Sequence, residues 1–385
     1  MGLTQTERDM LAEGGARFIA ERYSAGRRRF LIGSAPGFGR EEWKVYSELG
    51  WLGIGVPVEY QGVDGSMQDL AVIMEAVGRG LLLEPILATG IVAAGLINLA
   101  GTAAQRDELL PAIAAGRVML AFGYMERASG YCHSTPLETV EKSADGVCSL
   151  AGEKIAVMHG SSVDQLIVSA RPSDGASPVG LYLVPRDSPG VSISVARGVD
   201  DRGIATLRLQ DVAVPAANRL AATDVSDVIK RVLDRATLCV CAEAAGAMSV
   251  CNRMTVEYLK TRKQFGHPLS TFQALQHRLA DMRIAELEAG AVIRTAVLAF
   301  DARARNAPQL VSAAKIATDR AGKFIGEQAV QLHGGMGMAN DCAVGHYYKR
   351  LLCIGAQFGD VDWHLDRLCS LESIHPPLQV QETDA

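Results

Sequence analysis

The chain has 385 residues, 48% of them hydrophobic and 21% charged, so it can bury an extensive core and does not belong to the disordered class. That length exceeds an ordinary single core and predicts two or three domains. A formal net charge of -5, without any long basic run, argues against a nucleic-acid-binding surface. The N-terminus has no apolar signal-peptide core, and the most apolar stretch, residues 81–101, is interrupted by Glu84, Pro85 and Asn98. We therefore predict neither secretion nor a membrane span.

The cysteines are spread along the chain without a CxxC pair and without zinc-type spacing to the histidines. Cys239 and Cys241 lie two positions apart in a helical stretch, where their side chains point to different faces. This usage predicts buried free thiols, no metal site and a cytoplasmic protein.

Residues 1–117 have helical periodicity and predict an N-terminal helical domain. Thr4 and Glu7 have the spacing of a capping box, and an apolar-periodic stretch follows through Tyr23. Further helices are predicted, between glycine- and proline-bearing loops, over Glu41–Leu49, Ser66–Arg79 and Thr102–Ala115.

Residues 118–222 change character. Short alternating or β-branched runs such as VMLAFGYM, EKIAVM, QLIVSA, GLYLVP and VSISVA are divided by Gly, Asp, Ser or Pro, which predicts a small antiparallel β domain. Asp145-Gly146 marks a hairpin turn within it.

The helical period returns in residues 223–385 and predicts a C-terminal bundle. Its four long amphipathic segments are Asp227–Lys260, Phe272–Arg303, Leu310–His333 and Gly345–Leu371. The predicted fold class is α+β and mostly α, with the β domain between two helical domains.

Two glycine-bearing turns follow long helical segments of this bundle. A helix end explains Gly266, Pro268 and Ser270 in RKQFGHPLSTFQ, but it does not explain Arg262 and Phe265. The second turn lies in AVQLHGGMGM, residues 329–338. An arginine offers a charged fork to phosphate oxygens, and glycines allow close backbone approach. The two turns are either plain helix ends or a site for an elongated, pyrophosphate-containing ligand.

These motifs resemble the acyl-CoA dehydrogenase family over nearly the whole chain. RKQFG with FQALQHRLADM, and QLHGGMGM, are the specific parts, and LGWLGIGVPVEYQG is similar to an N-terminal motif of the family. Motifs such as AVMHGSSVD and FGDVDWH are similar to small subunits of bacterial enzymes for dicarboxylyl- or steroid-derived acyl-CoA.

The resemblance implies FAD between the β domain and the C-terminal bundle, with its ADP arm held by the two turns of neighbouring subunits. Carried over by motif, the implied FAD-binding residues are Arg262, Gln264, Phe265, Gln273, Gln331 and Gly335.

The family's reaction needs a base that removes the proton α to the thioester while hydride leaves the β-carbon. The usual glutamate lies about twenty residues after the glycine cluster, and that position here is Phe358. The alternative family position falls on Ala236, with Thr237 where an arginine is common. Asp360, two positions beyond Phe358, is either a displaced base, a helix cap or paired residue beside Asp362 and His364, or a contact to a partner's FAD in place of the usual threonine.

The β domain also departs from the family. A Thr-Glu pair and a Trp-x-Thr usually contact the flavin ring, but the matching positions here are Met125, Ala156 and Met158, although Glu126 keeps the glutamate of the pair. The motifs that the family uses to bind the ADP arm of FAD are therefore retained, whereas those that contact the flavin ring and supply the base are not.

Four further residues in helical runs carry an ionisable side chain. Glu243 lies in the apolar run CVCAEAAGAM, so we predict a buried partner or a subunit contact rather than catalysis. Asp234 and Arg235 are neighbours on the same helix and face two directions. His333 is predicted to pack and hydrogen-bond rather than to move protons.

The resemblance implies an acyl-CoA dehydrogenase subunit that completes the FAD site of a partner carrying the glutamate. Its expected partners are an acyl-CoA substrate, that second subunit in a heterotetramer, and an electron-transfer flavoprotein or similar acceptor. Two alternatives remain open. One is a self-sufficient homotetramer with Asp360 as base, and the other is a structural subunit without flavin.

Overall fold

The computed structural model describes residues 2–131, 138–144, 147–173, 179–221 and 225–373, and the side chains of all of these except 142–144, 147, 372 and 373. The helices are α1 (Gln5–Arg22), α2 (Ala25–Gly33), α3 (Arg40–Glu48), α4 (Met67–Gly80), α5 (Ala94–Ala100), α6 (Ala103–Ala114), α7 (Ser226–Thr261), α8 (Gln273–Asp301), α9 (Ala307–His333), α10 (Ala343–Gly355) and α11 (Val361–Ser373). The strands of the main sheet are β1 (Leu120–Gly123), β2 (Val140–Ala144), β3 (Val147–Met158), β4 (Gln165–Pro172), β5 (Gly180–Pro185), β6 (Val191–Arg197) and β7 (Gly203–Val214).

Side-chain caps fix the starts of several N-terminal helices. The predicted capping box of α1 is confirmed, because Glu7 N donates to Thr4 Oγ1 while Thr4 N donates 2.7 Å to the Glu7 carboxylate. Ser66 caps α4 in the same way, with Asp69 as the returning acceptor. Between α4 and α5 the chain forms a π-helix, Ile86–Ala93, in which every residue is buried. This π-helix is a wall of the central cavity described below, and π-helical turns often mark functional sites.

The sheet is mixed, which corrects the prediction of a purely antiparallel domain. Its strand order is β1-β4-β2-β3-β7-β6 with β5 added to β4, and β4 pairs in parallel with β1 and β2. Alternating residues look the same in parallel and antiparallel strands, so the sequence does not reveal the direction in which β4 pairs. The predicted turn Asp145-Gly146 lies outside the described residues, but β2 and β3 on either side pair antiparallel, with Ala144 opposite Val147.

The C-terminal helices differ from the prediction at one point. The segment predicted as one helix, Gly345–Leu371, is two helices, α10 and α11, separated by residues 356–360. Phe358 and Gly359 have positive φ values of 58° and 112°, which no continuous helix allows. A Cβ on Gly359 would lie 2.4 Å from a Trp363 ring carbon, so only glycine fits there. Helical periodicity runs through this break because α10 and α11 both bury one face.

The cysteines in the described part of the chain are free, and Cys239, Cys241 and Cys251 are buried as predicted. Burial raises the pKa of each of these thiols to about 12. Within the described ranges no group of acidic, cysteine and histidine side chains has the geometry of a metal site. None of the described helices combines the length and the apolar character that crossing a membrane requires.

A buried ion-pair network joins the N-terminal helices, the sheet and the C-terminal helices. Arg350 on α10 donates to both carboxylate oxygens of Glu243 on α7, each at 2.7 Å, and to Asp200 Oδ2 at 2.9 Å. Arg202 donates 2.7 Å to Glu243 Oε1 and 2.6 Å to the Leu82 carbonyl oxygen. The predicted buried partner of Glu243 is thereby confirmed.

The network should make a large contribution to stability. We expect Arg350→Met to lower the free energy of unfolding by about 3–5 kcal/mol, because it leaves two buried carboxylates without their main cation. Denaturation by urea and by heat measures this loss. Arg231→Met, on the exposed face of α7, is the control and should change stability by less than about 0.5 kcal/mol.

The same variant should also change how the stability of the protein depends on pH. Burial alone would raise the pKa values of Asp200 and Glu243, but the guanidinium groups of Arg202 and Arg350 outweigh it and hold both pKa values below their usual range. A depressed folded pKa gives stability that is present above about pH 4 and is lost as pH falls further. Arg350→Met should therefore show a shallower loss of stability below pH 4. A loss as steep as that of the unmodified protein would contradict the assignment.

Candidate functional site

The N-terminal helices, the sheet and the C-terminal helices enclose a central cavity of about 250 Å³. Met74, Val77 and the π-helix residues 86–88 line its N-terminal side. The sheet and the turn between α10 and α11 complete the lining. This cavity is where the family resemblance predicts the flavin ring and the acyl group.

The three sheet positions at which the family usually contacts the flavin ring carry no side chain that donates a hydrogen bond here. Met125, Ala156 and Met158 all line the cavity, and none of their side chains offers an N–H or O–H donor. Strand β3 bulges here, because its register against β7 shifts between Lys154 and Val157. Ala156 adopts a φ of 54°, and the Met158 sulfur accepts a hydrogen bond of 3.2 Å from Gln357 Nε2.

Phe358 occupies the usual base position and is buried in the cavity lining. Its backbone is held from α9 and α11. Lys315 Nζ donates to the carbonyl oxygens of Gly355 at 3.1 Å and Gly359 at 2.9 Å, and His364 Nε2 lies 3.2 Å from the Phe358 carbonyl oxygen. The turn is therefore fixed with an aromatic ring, not a carboxylate, facing the cavity.

Asp360 is exposed and lies at the start of α11, where its Oδ1 accepts a 2.9 Å hydrogen bond from Trp363 N. This is the geometry of a helix N-cap. Asp360 is not among the residues that line the central cavity. Its nearest link to the cavity is electrostatic: its charge is one of the causes, after burial, that raise the pKa of Tyr131, a cavity residue.

The alternative base position offers no proton acceptor. Ala236 is completely buried in α7, and Thr237 Oγ1 donates 2.8 Å to the Leu233 carbonyl oxygen of the preceding turn. Asp234 pairs with Arg367, with 2.6 Å between Oδ1 and Nη1. Arg235 points elsewhere, close to Gly55, where an added Cβ would lie 2.5 Å from its Nη2.

Glu126 has a structural partner in this chain. Its carboxylate contacts Lys154 Nζ at 2.5 Å and accepts from Thr139 N at 3.0 Å, and both charged side chains are fully buried. Burial alone would raise the pKa of Glu126, but the Lys154 ammonium and these hydrogen bonds hold it below the usual range. The residue therefore connects β2, β3 and the end of β1 as a carboxylate.

The two glycine-bearing turns lie at the same end of the bundle. Tyr258, one helical turn before Arg262, stacks on His333 with ring centroids 4.4 Å apart, and His333 Nδ1 donates 2.7 Å to the Ala329 carbonyl oxygen. The prediction of a packed, hydrogen-bonded His333 is confirmed. The six FAD-binding residues implied by the resemblance are all exposed here: Arg262, Gln264, Phe265, Gln273, Gln331 and Gly335.

The two turns are open to a ligand, whereas the cavity positions Met125, Ala156 and Met158 carry no side chain that donates a hydrogen bond. Phe265 is 86% exposed and has a φ of 55°, an unusual conformation for an aromatic residue. Gly334 and Gly335 have open space where a Cβ would be, so a ligand could approach the backbone closely. The wall formed by Met125, Ala156 and Met158, by contrast, gives the polar edge of a flavin no side-chain hydrogen bond.

Three residues of this site were missed by the sequence analysis. Lys315 holds the Phe358 turn, and Arg202 and His159 line the cavity. A charged residue in an apolar helical run was a usable signal for Lys315, as it was for Glu243. No local pattern marks Arg202 or His159, because only the tertiary fold brings them to the cavity.

Comparison with known proteins agrees with this architecture. The model described as "Acyl-CoA dehydrogenase, N-terminal domain" matches residues 5–117, and "Acyl-CoA dehydrogenase, C-terminal domain" matches residues 226–368. The Bacillus subtilis protein named Probable acyl-CoA dehydrogenase YngJ is 31% identical over 80% of this chain and 83% of its own. The Acetobacterium woodii Caffeyl-CoA reductase-Etf complex subunit CarC is 26% identical over 81% of this chain and 84% of its own.

Among solved structures, a variant of the Tcur3481-Tcur3483 steroid acyl-CoA dehydrogenase superimposes with a TM-score of 0.86 and 28% identity, covering 96% of this chain and 98% of that one. The family models, the relatives and the helix–sheet–helix architecture lead to one conclusion. The chain belongs to the acyl-CoA dehydrogenase family of FAD-dependent oxidoreductases.

Proposed function

We propose that this chain is a subunit of a heteromeric acyl-CoA dehydrogenase and completes the FAD site of a partner that carries the catalytic glutamate. One contrast within the molecule supports the proposal. The exposed turns at Arg262 and Gly335 carry the residues that the family resemblance assigns to the ADP arm. The central cavity, in contrast, has Phe358 at the base position and no ring-binding side chain at Met125 or Met158.

The exposed surface supports an assembly around those turns. Phe265, Met336 and Met338 are 86%, 54% and 80% exposed at the end of the bundle. Helix α8 exposes Ile284, Leu287 and Leu298 by about half of their surface or more. Large exposed apolar side chains grouped in this way are typical of protein interfaces.

In such an assembly each residue has a limited and specific role. The Arg262 guanidinium would hold pyrophosphate oxygens, Phe265 would cover the adenine end, and Gln331 and the backbone at Gly335 would complete the cradle. FAD supplies the acceptor for the hydride that leaves the β-carbon of the acyl-CoA. The partner's glutamate would remove the α-proton, because this chain offers no base at Phe358 or Ala236.

We further propose a steroid-derived or dicarboxylyl acyl-CoA as the substrate class and an electron-transfer flavoprotein as the acceptor. The similarity to a steroid acyl-CoA dehydrogenase, at 28% identity over nearly the whole chain, supports the first part. The similarity to a subunit of an Etf complex supports the second. We place the complex in the cytoplasm.

Flavin stoichiometry tests the assembly. The chain is purified alone and co-expressed with an acyl-CoA dehydrogenase subunit that retains the glutamate, and flavin absorbance is compared with protein mass. We expect little FAD on the chain alone, and an α2β2 complex with fewer flavins than chains. One tightly bound FAD per chain in the isolated protein would instead favour the self-sufficient homotetramer. If the partner holds the same amount of flavin alone as it does together with this chain, the result would favour a structural subunit.

Arg262→Ala should weaken FAD retention in the assembled complex. The pyrophosphate would lose a charged hydrogen-bond fork worth about 1.5–3 kcal/mol, or roughly ten- to hundredfold in affinity. Titration of the apo-complex with FAD measures the change, and Arg17→Ala on the exposed face of α1 is the control. Unchanged affinity with intact assembly would remove Arg262 from the site.

Asp360→Asn should lower turnover of the complex less than tenfold, because the side chain caps α11 and asparagine is an equally good cap. Asp362→Asn, two residues further along α11, controls for the loss of a charge at the helix start. Turnover is followed by reduction of an artificial electron acceptor. A loss of three orders of magnitude with flavin content intact would show that Asp360 is the base and that this chain carries the chemistry itself.

A further inference from the structure

A buried lysine and a buried aspartate on α9 hold the turn between α10 and α11, residues 356–360. Lys315 is completely buried, and its ammonium group donates to Asp319 Oδ2 at 2.5 Å and to the carbonyl oxygens of Gly355 and Gly359. An ammonium group has three N–H donors, so these contacts use all of them. A single cation therefore fixes both ends of the turn, and Asp319 is the carboxylate paired with that cation.

The carboxylate of Asp319 is stabilised on one side alone. Its side chain is 6% exposed, and Oδ1 is a buried oxygen without a hydrogen-bond partner among the described residues. A buried carboxylate oxygen without a donor favours the protonated form, because a proton there removes charge and breaks no contact of that oxygen. Burial, reinforced by the charge of Asp360, outweighs the attraction of the Lys315 ammonium and raises the pKa of Asp319 to about 7.

The other ionisable groups packed around this pair keep their charge state near neutral pH. Cys241 faces it from α7, and burial raises the pKa of that thiol to about 12. His364 of α11 contacts the same turn, and burial with nearby cations lowers its pKa to about 3. Tyr131, after β1, has its pKa raised by burial and by the charges of Asp360 and Asp319. Within the described ranges, α8 and α10 place no charged side chain among the groups that set the pKa of Asp319.

Protonation of Asp319 leaves the Lys315 ammonium buried without its counter-charge. A buried charge that has lost its partner is strongly unfavourable. The other carboxylate that acts at this site is Asp360, which lies at the exposed start of α11. Movement of the ammonium toward Asp360 and solvent breaks its contacts with the carbonyl oxygens of Gly355 and Gly359. The turn then loses the hydrogen bonds that fix its two ends.

We propose that Asp319 is a proton-sensitive latch for the turn between α10 and α11. Ionised Asp319 keeps Lys315 on the two carbonyl oxygens and thereby fixes Phe358 in its buried position. Protonated Asp319 releases Lys315, so the turn and the Phe358 ring become mobile. The latch belongs to this chain alone and requires neither flavin nor a second subunit, so its failure is distinguishable from failure of the proposed function.

Two aromatic rings on opposite sides of the turn report its state. Phe358 is buried, and the Trp363 ring lies 2.4 Å from where a Cβ on Gly359 would be. The full-length protein is labelled with 4-fluorophenylalanine or 5-fluorotryptophan and followed by fluorine NMR from pH 5.5 to 8.5, and Phe358→Leu and Trp363→Phe assign the two signals. We expect both signals to shift with one midpoint near pH 7, whereas Trp43 and Trp51, buried in the N-terminal domain, stay unchanged.

Three variants assign the transition to its proton. Asp319→Asn keeps the shape of the side chain but cannot ionise, so it should remove the transition and hold both signals at their low-pH positions throughout. Asp360→Asn removes a charge that raises the pKa of Asp319, so its midpoint should move to lower pH. Asp362→Asn, at an exposed position two residues further along α11, is the matched control and should leave the midpoint unchanged.

Three results would overturn the proposal: no transition in the unmodified protein, a transition that survives Asp319→Asn, or a shift of the Trp363 signal without one of Phe358. The last result would show that a charge changes beside the turn while the turn itself stays fixed. If Asp319→Asn does not fold, the decision rests on Asp360→Asn: a midpoint at lower pH supports the latch, and an unchanged midpoint overturns it.

Discussion

The bidentate ion pair between Arg350 and Glu243 is the contact on which the arrangement of the whole chain depends. It connects α10 to α7, and through Asp200 and Arg202 it also connects the sheet and the loop after α4. Burial of Arg350 and two carboxylates, with Arg202 mostly buried beside them, is unfavourable unless every charge has a close partner. The three layers must therefore meet in one geometry, because a small displacement would leave a charge unpaired.

That constraint explains why a cavity persists where three layers meet. Apolar side chains alone would close the space with small shifts of α4 or α10, as cores usually do. A network that tolerates little displacement holds the walls apart, and the Lys315 contacts fix the Phe358 turn on the remaining side. The cavity is thus bounded by ion pairs and hydrogen bonds, although the residues that line it are mainly apolar.

The sequence was sufficient for the helix–sheet–helix order, the capping box at Thr4 and the buried partner of Glu243, because these depend on local patterns or on one costly burial. It was not sufficient for the parallel pairing of β4, since alternation is the same for either strand direction. The break at residues 356–360 was also missed, because periodicity continues across it. The cavity residues Arg202 and His159 could not be predicted from the sequence for a different reason. They come from the sheet and meet α7 and α4 only after the domains pack.

Phe265 is the residue whose side chain and backbone are least well accommodated within this chain. A large aromatic residue that is 86% exposed in a left-handed conformation is unfavourable twice, first by solvent exposure and then by backbone geometry. Within this chain its ring contacts only Phe272 among the described aromatic pairs, edge-on at 6.2 Å, which offsets little of that cost. A ligand or a neighbouring subunit that covered the ring would remove the exposure and could thereby offset the cost of the backbone conformation. Phe358 has a similar backbone conformation but is buried in its own cavity, so it needs no such cover. The two aromatic residues share a left-handed backbone conformation, but only Phe358 has its ring buried within this chain.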